Sequence, residues 1–130
     1  MSTKTDQYYI QKIRENCLFI VDHMHGITLI DLEEDPVLLD SMLFRMIQIS
    51  ENARKLTDSF RDEHSYIPWP ALFGMRNRIV HDYGNVDLKE VFITLSNDIY
   101  DLFLQFFLNI LYIGEHYGIL ISYFVPHRRI

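Results

Sequence analysis

The sequence predicts an all-α fold, an up-and-down bundle of four to five helices. Apolar residues recur at intervals of three and four along most of the chain, which is the spacing of one face of an α-helix. The breaks between these stripes contain proline, glycine and aspartate, residues that begin or end helices. Because the connections are short, we expect neighbouring helices to run antiparallel.

Long apolar stripes mark the first two helices. The first stripe consists of Ile10, Ile13, Cys17, Ile20 and Met24. The second follows Asp35 and Pro36, which suit the start of a helix. Its members are Leu39, Met42, Met46, Ile49, Ala53, Leu56 and Phe60. We therefore predict one helix near the N-terminus and a second that reaches residue 60.

Two further helices complete the predicted bundle. The stretch HSYIPWP, residues 64–70, interrupts the chain before the third helix, and its last proline suits a first helical turn. The stretch DYGNVD, residues 82–87, interrupts it again. Asp87 with Glu90 three residues later forms a capping box for the last helix. That helix is expected to extend over residues 88–113.

The last helix carries apolar side chains on more than one face. Phe103 and Phe107 lie off the line through Leu102 and Phe106. Two arrangements fit this pattern. In one, a second copy of the chain covers the extra face, so that the protein is a homodimer. In the other, the helix lies in the centre of its own bundle.

Composition indicates one globular domain over residues 1–130, with 114–130 a C-terminal tail of undecided structure. The chain has 130 residues, of which 48% are hydrophobic, enough for a core of its own. Its one cysteine, Cys17, excludes an intramolecular disulfide and fits a reducing cytoplasm. The most apolar run, residues 102–113, is shorter than the roughly 20 residues that a membrane-spanning helix needs. We expect a cytoplasmic protein without a membrane partner.

The net charge of −6 bears on possible partners. Proteins that bind nucleic acid through their whole surface are usually basic. Any nucleic-acid site here must therefore be a local basic patch on an acidic chain. Two short patches are visible, one at Arg76 and Arg78 and the other in the C-terminal HRRI.

The segment GMRNRIVHDYG, residues 74–84, combines side chains that suit catalysis on RNA. A histidine such as His81 can accept or donate a proton near neutral pH. Arg76 offers a permanent charge that matches phosphate oxygens, and Asn77 can orient either group. Metal-free RNA cleavage needs such a set: a base to deprotonate the 2′-hydroxyl and a cation to stabilise the charged transition state. We expect no metal and no cofactor.

The spacing of Arg76 and His81 limits how they can cooperate. Five residues apart, they are separated by about 140° on a regular helix. They can act on one atom if the helix distorts near Gly84, or if two copies of the segment face each other across a dimer axis. By itself R-x4-H is a weak motif. The alternative is that Arg76 and His81 are ordinary surface residues without a catalytic role.

Residues 49–92 resemble the HepT-like branch of the HEPN superfamily. The resemblance includes the helical turn Ser-Glu-Asn-Ala (50–53), IPW (67–69), MRNRIVHDY (75–83) and the VD that precedes the last helix. It implies a helical bundle that dimerises, so that the R-x4–6-H motifs of two subunits meet. Many such proteins are metal-independent ribonucleases.

Carried over to this chain, the resemblance implies that Arg76 and His81 are catalytic and that Asn77 supports them. Arg78 is a candidate RNA contact. In HepT-type toxin–antitoxin pairs, the antitoxin is a minimal nucleotidyltransferase that transfers AMP from ATP to the tyrosine two residues after the motif histidine, here Tyr83. The predicted function is thus an endoribonuclease toxin acting on RNA, with tRNA as one candidate. The alternative is a non-catalytic HEPN module that docks the nucleotidyltransferase, which the acidic charge favours slightly.

Other residues near the motif have two interpretations each. Glu51 can anchor Arg76 or Asn77, or be a solvated charge. Trp69 is expected to pack at the edge of the bundle rather than stack on a base. His23 and His25 precede Gly26 near a helix end, where a cation is favoured, and a metal-binding role is not expected for them.

Overall fold

The structure is a computed structural model and describes residues 4–81, 85 and 87–110. Within these residues all regular structure is helical, which confirms the predicted all-α class. No helix there is both long and apolar enough to cross a membrane. The first five helices are α1 (Asp6–Met24), α2 (Leu29–Glu33), α3 (Pro36–Arg54), α4 (Asp58–Glu63) and α5 (Trp69–His81).

The last predicted helix is one continuous helical segment with two π-helical stretches. It contains α6 (Leu88–Ile93), a π-helical stretch (Thr94–Asp98), α7 (Ile99–Leu104) and a second π-helical stretch (Gln105–Ile110). It begins where predicted, because Asp87 Oδ1 accepts hydrogen bonds from the backbone amides of Lys89 and Glu90. Its predicted end at residue 113 and the tail 114–130 lie outside the described residues.

Two short helices were not predicted. Helix α2 begins with a capping box, in which the Thr28 amide donates to Asp31 Oδ2 (2.9 Å) and the Asp31 amide donates to Thr28 Oγ1 (3.1 Å). It follows a turn at Gly26, whose φ of 74° favours glycine. Five residues are too few to show helical periodicity, so the apolar pattern did not reveal this element.

The prediction that the second helix reaches residue 60 is wrong. Helix α3 ends at Arg54, and a separate helix α4 begins after Thr57. Thr57 Oγ1 caps α4 by accepting a hydrogen bond from the Phe60 amide. The Thr57 amide and hydroxyl also donate to the two carboxylate oxygens of Asp6, at 2.9 and 2.7 Å. This contact with the first residue of α1 stabilises the interruption.

The core lies along α3, which packs against α1 on one side and α5 on the other, while the last helical segment packs mainly against α1. Trp69 is buried, and its indole nitrogen donates to the backbone oxygens of Arg61 (3.2 Å) and His64 (3.1 Å). This confirms that Trp69 is a packing residue. The fully buried large side chains include Ile13, Ile20, Leu32, Met42, Ile49, Leu95, Ile99, Phe103 and Phe106.

The extra apolar face of the last helix is largely covered within the chain. Phe103 and Phe106 are both fully buried, and Phe107 is partly buried against the core. The Arg14 guanidinium is buried beside them and donates from Nε to the Phe106 carbonyl at 3.2 Å. Burial lowers the pKa of Arg14. Of the two arrangements, Phe103 therefore fits burial in its own bundle and is not an argument for a second copy.

Candidate functional site

One turn of α3 holds α5, the helix that carries the R-x4-H motif of Arg76 and His81. Arg54 Nη2 donates to the backbone oxygen of Phe73 at 3.1 Å, and the hydroxyl of the fully buried Ser50 lies 3.5 Å from the same oxygen. One turn later on α5, Arg76 Nε lies 3.0 Å from Glu51 Oε1. These contacts fix the register of α5 on α3 at the motif arginine.

Arg76 is oriented from two sides. Besides the ion pair with Glu51, its Nη1 donates to Asn77 Oδ1 at 3.3 Å. The structure thus confirms Glu51 as an anchor of Arg76 rather than a purely solvated charge. The two partners are 40% and 41% exposed, and ion pairs of this exposure contribute about 0–1 kcal/mol to stability. The main effect of the pair is therefore to orient the guanidinium, which keeps further N–H donors for another anion.

His81 is the last residue of α5 and is exposed. Because α5 is α-helical from Trp69 to His81, Arg76 and His81 keep the separation of about 140° around the axis. His81 shares a face with Asn77, four residues earlier. One copy of the described chain therefore does not place Arg76 and His81 side by side. The alternative distortion near Gly84 falls on residues outside the described part.

Arg78 lies on a different side of α5 from Arg76. It lines a cavity of about 590 Å³ between α5 and α6. Two acidic residues, Asp87 and Glu90, line the same cavity. Arg78 is therefore not grouped with Arg76 and Asn77, although the three are neighbours in the sequence.

Helices α5 and α6 each carry an exposed apolar side chain. Val80, next to His81, is 45% exposed, and Ile93 on α6 is 47% exposed. The apolar part of the cavity that Arg78 lines comes from Met46, Met75, Ile79, Val91 and Ile93. Of the two exposed apolar side chains, Val80 is the one that adjoins His81 in the sequence.

Two predicted sites cannot be placed. Tyr83, the residue proposed to be modified, and the C-terminal HRRI lie outside the described residues. His23 is engaged locally: its ring nitrogen Nδ1 is 2.8 Å from the Phe19 backbone oxygen, and its ring stacks on Phe19 at 3.9 Å. Among the described residues, no three His, Cys, Asp or Glu side chains form a group that could hold a metal ion.

Comparison with known proteins identifies related sequences. The family described as Ribonuclease HepT-like matches residues 8–106. A protein of Caldanaerobacter subterraneus subsp. tengcongensis named "Putative RNase TTE0752" is 31% identical over 99 residues, covering 76% of this chain and 88% of the relative. A "Probable ribonuclease HepT" of Thermococcus cleftensis is 26% identical over 91 residues, covering 70% and 83%. The search of solved structures gave no match.

The contact between Glu51 and Arg76 leads to a prediction about stability. Glu51→Gln should lower the free energy of unfolding by no more than about 1 kcal/mol, because the pair is partly exposed. Urea unfolding followed by circular dichroism measures this, with Glu33→Gln, an exposed glutamate on α2, as the matched control. A loss of about 3 kcal/mol or more would instead show that the pair behaves as a buried one.

Proposed function

The chain belongs to the HepT-like ribonuclease family, and we propose on that premise that it is a metal-independent endoribonuclease. The observation that carries the proposal is the motif arginine, Arg76, held by Glu51 and Asn77 on the rim of the α3–α5 contact. An oriented guanidinium of this kind suits the charged transition state of phosphoryl transfer. Arg76 and His81 are the proposed catalytic residues.

In the proposed reaction, His81 accepts the proton of a ribose 2′-hydroxyl. The 2′-oxygen forms a bond to the adjacent phosphorus, and the bond from phosphorus to the 5′-oxygen breaks. The leaving oxygen takes up a proton from water and His81 releases its proton to water, so that one fragment ends in a 2′,3′-cyclic phosphate and the other begins with a 5′-hydroxyl. Arg76 stabilises the negative charge on the phosphoryl oxygens, and Asn77 keeps the guanidinium oriented.

The angular separation of Arg76 and His81 supports a site built by two copies. In a twofold dimer the same patch of each chain meets its equivalent, so Arg76 of one copy can face the histidine of the other. Val80, which is 45% exposed and follows Arg76 by four residues on α5, offers apolar area for such a contact. We therefore propose a homodimer that joins through the face of α5 that carries Arg76 and Val80.

Regulation is proposed to follow the toxin–antitoxin pattern. A partner nucleotidyltransferase would transfer AMP from ATP to the hydroxyl of Tyr83 and release diphosphate. Tyr83 follows Arg76 by seven residues in the sequence. The added phosphodiester is negative and bulky, and it would compete with RNA for Arg76. The substrate is proposed to be cellular RNA, with tRNA as one candidate.

Removal of either catalytic side chain should abolish cleavage. Unmodified protein incubated with total RNA in EDTA should give discrete fragments, and Arg76→Ala or His81→Ala should slow their formation at least about 100-fold. His23→Ala, an exposed histidine on α1, is the matched control and should cleave normally. DNA should remain intact because it lacks the 2′-hydroxyl.

Two results of that assay would contradict the proposal. Cleavage that survives in both variants would place the reaction elsewhere. Absence of cleavage by wild-type protein, with an intact mass that excludes added AMP, would favour the non-catalytic module that docks a nucleotidyltransferase.

Substitution of Tyr83, the proposed acceptor of AMP, should leave RNA cleavage intact but remove its regulation. Tyr83→Phe should cleave RNA like the wild type, yet it should gain no AMP and remain active when the cognate nucleotidyltransferase and ATP are added. Mass spectrometry and the cleavage assay measure the two effects. Tyr66→Phe, at an exposed tyrosine on another part of the chain, is the control and should still be silenced. Silencing of Tyr83→Phe would show that Tyr83 is not the regulatory acceptor.

A further inference from the structure

A groove between α1 and α3 collects most of the lysines of the chain. Lys4, Lys12 and Lys55 line it, and the sequence contains only one further lysine, Lys89 on α6. Arg45 adds a fourth positive charge to its lining, against a single acidic residue. On a chain of net charge −6, this is a local basic patch of the kind that nucleic-acid binding requires.

Aromatic rings lie between these cations. The ammonium nitrogens of Lys4 and Lys12 are 4.4 and 5.6 Å from the centroid of the Tyr8 ring, and that of Lys55 is 5.8 Å from the Tyr9 ring. Tyr8 is 38% exposed, and Phe44 on the opposite wall is 55% exposed. Exposed rings flanked by cations can stack on bases while the cations pair with phosphates.

The base of the groove is held in place by the fold. Arg45 Nη1 donates to Asn16 Oδ1 at 3.2 Å, and its guanidinium carbon lies 3.8 Å from the centroid of the Phe19 ring. Asn16 is buried, and its amide nitrogen donates to the Lys12 carbonyl at 2.8 Å. The groove, of about 340 Å³, therefore has one preorganised cation, Arg45, in addition to its three lysines, which reduces the ordering cost of binding an anion.

The aromatic rings favour RNA over an acidic protein segment as the ligand. Carboxylates would need only the cations, whereas every base offers a face that can stack on Tyr8 or Phe44. The ion pair between Lys12 and Glu15 (3.5 Å) joins two exposed side chains, and its small stability does not prevent Lys12 from pairing with a phosphate.

The groove adjoins the candidate site across one helix. Asn52 lines the groove, and the preceding residue, Glu51, holds Arg76 on the neighbouring face of the same turn of α3. A helix with its side chains is roughly 10–12 Å across, a distance that a few nucleotides span. We propose that this groove binds the single-stranded RNA that the Arg76 site cleaves, an inference that rests on the proposed ribonuclease function.

Binding is measured without cleavage by placing the substitutions in a His81→Ala background. The probe is a fluorescein-labelled single-stranded RNA of mixed sequence and about 16 nucleotides. Lys4→Gln, Lys12→Gln and Lys55→Gln together should weaken binding at least about tenfold at low salt. The slope of log K against log salt should fall by about 2, since each lost phosphate contact on a single strand removes about 0.7.

Two further variants sharpen the test. Tyr8→Ala should weaken binding at least about fivefold, since a stacked base is lost, while the salt slope stays near that of the background. Lys89→Gln removes the lysine outside the groove and should leave the dissociation constant within about twofold, because no phosphate contact is lost. Thermal unfolding of each variant confirms that the fold is retained.

The outcomes separate this inference from the proposed function. Binding by the triple variant within about twofold of the background, or absence of RNA binding by the background itself, overturns the inference, and the proposed function is then judged by the cleavage assay alone. If the wild type does not cleave RNA but the triple variant loses RNA binding, RNA binding by the groove is supported. The proposed ribonuclease activity is then wrong.

Discussion

The contact between one turn of α3 and the middle of α5 is the constraint on which the candidate site depends. Ser50 and Arg54 approach the carbonyl of Phe73, and Glu51 pairs with Arg76 one turn later. Since Ser50 is fully buried in the interface, α5 cannot rotate or slide without breaking these contacts. The position of the motif arginine therefore follows from helix packing, and the weak ion pair only selects its orientation.

Local charge matters more than net charge for the chemistry proposed here. Arg76 is matched by Glu51, Arg78 shares a cavity with Asp87 and Glu90, and the α1–α3 groove holds four cations against one carboxylate. An overall charge of −6 is thus compatible with local basic groups, because salt screens interactions beyond about 8–10 Å. These local groups of cations weaken the argument that the acidic net charge gives for a non-catalytic module.

The sequence predicted those features that depend on local chemistry. Apolar stripes located the long helices, Asp35 and Asp87 capped helices as expected, and the family inferred from residues 49–92 is confirmed by the match over 8–106. Contacts between distant residues were not predictable in this way. The break at Thr57 depends on Asp6, and the groove joins Lys4 to Lys55. The sequence did indicate the α1 side of that groove, because Lys4, Tyr8 and Lys12 are spaced by four residues and so share one face of a helix.

A mixed dimer distinguishes a site shared by two copies, in which Arg76 of one chain acts with His81 of the other, from a site within one chain. Arg76→Ala and His81→Ala chains carrying different tags would be co-expressed and the heterodimer purified through both tags. Such a dimer contains one complete composite site, so it should cleave RNA at about half the wild-type rate while each variant alone is inactive. An inactive heterodimer would rule out this composite site and favour a site in which both residues come from the same chain.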